Sequence, residues 1–177
     1  MSDLNTHVFG AQHAEIAELL TDTPLGATYG TPFDVPGLKS VSVSTTSDSK
    51  ELRGDNQLLA KETVVQNIEV TLEFAKWDAR VFALITGATL TENLDESYSV
   101  SMGANATPKE FSLLARSASA TGTGTAVSIS FPKLKITNLP DMIGLAEEDF
   151  KTVSVTCEAI PTATGVWFDY NYEVPAV

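Results

Sequence analysis

The chain holds a single cysteine and few basic residues, and no apolar run in it approaches the length of a membrane span. One cysteine among 177 residues, Cys157, rules out an internal disulfide. It sits in the alternating run VSVTCEA, where a thiol acts as a small buried hydrophobe. Lysine and arginine total 11 against 23 acidic residues, a net charge of −12 with no basic block, which argues against adhesive contact with nucleic acid. Without an apolar run of about 20 residues no transmembrane helix is expected. The N-terminal MSDLNTHVFGAQHAEI lacks the basic-then-apolar order of a secretion signal, so synthesis in a reducing cytoplasm is expected.

Catalytic signatures are missing too. HExxH, CxxC, GxSxG and phosphate-loop patterns do not occur. His7 and His13 lie near one terminus with no third ligand placed beside them, so no metal and no cofactor is expected. Glu147, Glu148 and Asp149 form an acidic run without calcium-loop spacing. Carboxylates are plentiful, but nothing singles out a catalytic pair. The expectation is a protein that is not an enzyme.

What remains is β signal. Period-two alternation marks strands at Leu38–Thr45, Leu58–Gln66, Asn67–Ala75, Glu110–Ser119, Ala126–Thr137, Phe150–Ile160 and Val166–Tyr172. In Asn67–Ala75 the apolar set Ile68, Val70, Leu72 and Phe74 opposes Glu69, Thr71 and Glu73, so one face packs and the other meets water. In Ala126–Thr137 the apolar phase flips between Phe131 and Leu134, which requires a bulge at Phe131-Pro132-Lys133. One helix is expected, capped by Asp78, striped by Trp77, Val81, Leu84 and Ile85 as its packing face, and stopped by Gly87. Ala11–Leu20 is ambiguous, because AEIAELL favours helix by local propensity. The N-terminal arm Met1–Gly10, the polar excursion Thr45–Gln57 and the linker Gly103–Lys109 are expected to be mobile. Asn138–Glu148 suits a short helical turn. With no repeat and no interdomain linker, residues 1–177 are expected to form a single domain.

Four elements carry a resemblance: the YGTP turn at Tyr29–Pro32, the VPGLKSVSV entry at Val35–Val43, ELRGDNQLLAK at Glu51–Lys61, and EVTLEFAKWDARVFALITG at Glu69–Gly87. In this order the chain resembles the major tail tube proteins of long-tailed, siphovirus-like bacteriophages. The resemblance implies a mainly β fold, a β-sandwich or half-barrel with one flanking α-helix, and favours strand at Ala11–Leu20. It implies hexameric rings of identical subunits stacked into a tube in the virion tail. Tape-measure, tail-tip and terminator proteins would be further partners, and double-stranded DNA would pass without adhering. Thr45–Gln57 would be the inter-subunit assembly loop, with Asp48, Lys50, Glu51, Arg53 and Asp55 as its charged contacts. Glu69, Thr71 and Glu73 would line the lumen and repel phosphate.

Two other readings stay open. One is the tube of a phage-derived injection or secretion machine. The other is a carbohydrate-binding or adhesion β-sandwich, for which Trp167 is the best feature. Phe168, Tyr170 and Tyr172 share one strand face, suited to core or subunit contact, while Trp167 falls on the opposite face, where an exposed ring could stack on a sugar.

Overall fold

The computed structural model describes residues 13–35, 37–54, 57–76, 78–94, 97–117, 126–138 and 152–173. The chain runs through β1 (His13–Thr23), β2 (Gly26–Tyr29), β3 (Phe33–Asp34), β4 (Leu38–Gly54) and β5 (Gln57–Phe74) before its helix, α1 (Ala79–Thr86). There follow β6 (Thr89–Glu92), β7 (Tyr98–Ser101), β8 (Phe111–Ser117), β9 (Ala126–Ile136), β10 (Val153–Ala159) and β11 (Asp169–Glu173). The protein is mainly β. Nine strands form one antiparallel sheet in the order β2-β1-β8-β9-β10-β5-β4, with β3 on β1 and β11 on β9, and β6 and β7 form a small second sheet.

One-sided burial explains the strands of the body. Ile68, Val70, Leu72 and Phe74 of β5 are buried, as are Val155, Cys157 and Ala159 of β10 and Phe111, Leu113 and Ala115 of β8. β1 is a strand despite its helix-favouring residues. Ala14 and Ile16 face the core while the backbone is paired with β8 along one edge and with β2 and β3 along the other. Ladder bonds and burial on both flanks outweigh a weak local preference.

The sheet curls. β3 lies at one margin, on β1, and β4 starts at the other margin, where Leu38 pairs with Phe74. Only Val35, Pro36 and Gly37 separate the two strands, so the margins lie within roughly 14 Å of each other. Ala14 and Ile16 of β1 accordingly share one core with Leu38 of β4. Val81, Leu84 and Ile85 of α1 join that core, so the helix covers the open side of a half-barrel.

The expected bulge in β9 is present. Phe111 pairs with Leu134 and Leu113 with Phe131, which leaves one extra residue on β9. The two halves of β9 then serve different partners, Ala126–Ser130 pairing β11 and Leu134–Ile136 pairing β10. The helix ends are as read from sequence: Asp78 accepts a hydrogen bond from the Arg80 backbone N–H at 2.8 Å, and Gly87 adopts φ 72°.

Two expectations require correction. The described part of Thr45–Gln57 is not a loop: β4 pairs β5 from Leu38 to Gly54, with irregularities at three points, so Thr45–Gly54 is one side of a long hairpin and Gln57 begins the other. Leu58–Gln66 and Asn67–Ala75 are not two strands but one, β5, whose side-chain phase reverses at a bulge where Thr46 pairs with Asn67 and Ser47 with Val65. The linker Gly103–Lys109 has no regular structure, and its Thr107 backbone lies against Gly87. The N-terminal arm, nearly all of Asn138–Glu148, Asp55 and Trp77 fall outside the described residues.

Candidate assembly surface

Core contact ends abruptly along the β4–β5 hairpin. Ile68 is 3% exposed, whereas Val65 is 46% and Val64 49%. Beyond Thr45 and Ile68 the two strands continue as a ribbon for about 30 Å, at the usual rise of a strand. Every side chain described on it, Thr46–Glu51 and Ala60–Gln66, is exposed. β10 flanks β5 only as far as the Ala159–Ile68 pair, and β4 is the last strand of the sheet. Among the described residues, the ribbon therefore has two open edges and two wet faces.

The backbone ladder holds it together, with paired charges across it. Lys50 lies opposite Glu62 and Glu51 opposite Lys61, with Lys61 Nζ 3.5 Å from Glu51 Oε1. Such exposed pairs contribute about 0–1 kcal/mol each. Of the expected loop contacts, Asp48, Lys50 and Glu51 are exposed on this ribbon. Arg53 is placed by its backbone pairing with Leu58.

Glu69, Thr71 and Glu73 share the outer face of the sheet at the root of the ribbon. Ser44, Ser42 and Ser40 of β4 lie opposite them on one side, and Glu158, Thr156 and Ser154 of β10 on the other. Glu69 is exposed beside Glu158, and Ser40 Oγ donates to Glu73 Oε2 at 2.9 Å. Lys61, farther out on β5, is paired with Glu51. The result is a hydroxyl-rich, acidic plane three strands wide.

Sequence reasoning missed a polar cluster on the opposite flank. The β9 bulge places Lys133, 16% exposed, with its ammonium 3.1 Å from Asp22 and 3.3 Å from Glu110. Asp22 also accepts from the Ala163 N–H at 2.8 Å. That backbone N–H, together with the Lys133 ammonium, holds the Asp22 carboxyl below its ordinary range. The cluster ties the β1–β2 hairpin to β8, β9 and the turn before β11. The phase break at Pro132 was its one signal in the sequence. Beside it lies a shallow cavity of ≈ 180 Å³ lined by Tyr29, Thr162, Thr164 and Asp169 among others. Burial, then Asp22 and Asp169, push the Tyr29 hydroxyl up.

The feature that favoured a sugar-binding reading is overturned. Trp167 packs against the core rather than standing free, while Phe168 and Tyr170 are the exposed rings. The reason is position: Trp167 precedes β11, in the excursion that closes over Phe131, so strand alternation does not govern it. Phe168 itself leans on Phe131, ring centres 5.9 Å apart. His13 lies 2.9 Å from Glu15 and 3.4 Å from Asp34, and among the described residues no cluster has the make-up of a metal site. Nor, among them, is any helix long and apolar enough to cross a membrane.

No protein-family model and no curated protein matches the chain. Among solved structures, a chain from the cryo-EM structure of the anti-feeding prophage baseplate, sixfold symmetrised, is similar over 97% of this chain and 94% of that one, at 9% identity and a TM-score of 0.34. Likeness at that level carries no functional argument.

Proposed function

We propose that this chain is a non-enzymatic structural protein, the major tail tube subunit of a long-tailed phage, which closes into hexameric rings that stack into a conduit for DNA. The observation that carries the reading is the ribbon. A two-stranded hairpin is at best marginally stable alone in water, yet this one reaches about 30 Å beyond its core with neither edge paired among the described residues. Such a shape makes sense where copies of the chain supply the missing neighbours through ring-closing and stacking contacts. It stands in a chain whose motifs, in their order, resemble tail tube proteins. The acidic plane at its root suits a wall past which duplex DNA moves without adhering.

The test is assembly. Purified protein at rising concentration should form rings or tubes in negative-stain electron microscopy. Replacing Ser47–Gln66 by Asn-Gly closes the hairpin with a two-residue turn at the Thr46–Asn67 pair. That variant should lose only the ribbon's share of the β signal in circular dichroism, keep a cooperative melt of the body, and form no tubes. Uniform monomers from the wild type, or normal tubes from the trimmed variant, would reject the reading.

A further inference from the structure

We infer that β5 is hinged at Gln66–Asn67, so that the ribbon swings relative to the half-barrel and takes up a second orientation when a neighbouring copy supplies a hydrogen-bond donor to Asn67. The neighbouring copy rests on the tube reading; the hinge does not.

Several independent observations meet at this point. β5 carries a bulge here, with Gln66 the extra residue between the Thr46–Asn67 and Ser47–Val65 pairs. Bulges bend a strand and re-aim the residues beyond them. Lateral support from β10 ends one residue away, at the Ala159–Ile68 pair, so past Asn67 no third strand among the described residues restrains the ribbon. Burial falls away from Ile68, 3% exposed, to Val65, 46% exposed, so packing does not restrain it either. Finally, the Asn67 Oδ1 atom is buried without a hydrogen-bond partner.

Buried polar atoms without partners are rare in folded proteins, and each calls for a physical reason. An unmet acceptor at the root of a mobile element raises the energy of that setting selectively. A second setting that meets the acceptor is then favoured by the difference. The Lys39 irregularity near the start of β4 is unlike this one, since it lies between the Leu38–Phe74 and Ser40–Glu73 pairs beside the core, where β10 still flanks β5.

Spin-label distances in the free subunit test the hinge directly. Ser49→Cys on the ribbon and Ser154→Cys on the body give two exposed attachment points, and buried Cys157 stays unlabelled. The distance distribution should be broad or two-peaked, and deletion of Gln66 should collapse it to one narrow peak. A single narrow peak with Gln66 present overturns the hinge.

The acceptor is tested by Asn67→Leu, which removes it. This variant should melt no lower than wild type yet need about tenfold more protein to form tubes. A lower melting point with an unchanged assembly threshold would mean that Asn67 is an ordinary structural amide, and would overturn its part in the switch. If the wild type never assembles, the tube reading fails, and the spin-label result still decides the hinge.

Discussion

Alanine at Gly87 should be far more costly than at either of two other glycines, and the series separates two physical effects. Gly87 ends α1 at φ 72°, a left-handed conformation that costs a residue with a Cβ about 1–2 kcal/mol. It also lies so close to Thr107 that a Cβ would run into the Thr107 carbonyl, which is backbone and cannot rotate aside. Forced overpacking of this kind adds about 1–3 kcal/mol. The sum, about 2–5 kcal/mol, lowers the melting temperature of a chain this size by about 4–20 °C. Gly165 has φ 84° and nothing within 4 Å of an added Cβ, so Gly165→Ala carries the conformational cost alone. Gly103 also has open space, and no left-handed requirement, so Gly103→Ala should stay within about 0.5 kcal/mol of wild type. Differential scanning calorimetry on the three variants reads the order directly. If Gly87→Ala melts no lower than Gly165→Ala, the helix end does not rest on the Thr107 segment, and the account of how α1 is seated is wrong.

Leu84→Ala removes a side chain that is 8% exposed in the shared core, and should cost about 2–5 kcal/mol in urea unfolding; a midpoint equal to wild type would remove α1 from the core. The Asp22 carboxyl is depressed in the folded state, so its contribution is present above the unfolded value of 3.8 and is lost as pH falls through the folded one. Asp22→Asn should therefore flatten the decline in stability below about pH 4, and an unaltered decline would show that the carboxylate is not held as described. On the acidic plane, Glu69→Lys with Glu73→Lys should permit tube assembly but slow genome ejection. Wild-type ejection rates across a range of salt would dismiss these residues as a lumen wall.

Where one face is buried, the sequence was readable. Ile68, Val70, Leu72 and Phe74 alternate because a core lies on one side, and the broken phase after Phe131 located the bulge because both halves of β9 are buried. Asp78 and Gly87 bounded the helix through capping chemistry that is local to the chain. Leu58–Gln66 was read as strand, but its partner side of the ribbon, within Thr45–Gln57, was misread for the converse reason. With both faces wet, nothing selects apolar residues at every second position, and the ladder is carried by backbone bonds that leave no trace in composition. The short β2, β3, β6 and β7 went unseen, being two to four residues each and mostly exposed. Lys133 meeting Asp22 and Glu110 could not be foreseen, since the contact joins residues 111 and 23 positions apart through a turn of the sheet.

The long hairpin also has a consequence in time. The body closes only when His13 finds Arg116 and Phe74 finds Val153, pairings that bring distant parts of the chain together and are slow to form. β4 and β5 are joined by two residues and can zip up within microseconds. The ribbon can therefore form transiently early, edges bare, on a chain whose core is still open. At that stage the alternation of Lys50 with Glu62 and Glu51 with Lys61 has a task separate from holding two strands together. Charge along an edge makes it a poor template for stray strands. In the proposed tube, the same residues that keep a newborn chain solitary would later have to admit a finished neighbour, so premature aggregation and correct polymerisation would compete for one surface, and the order of folding would decide between them.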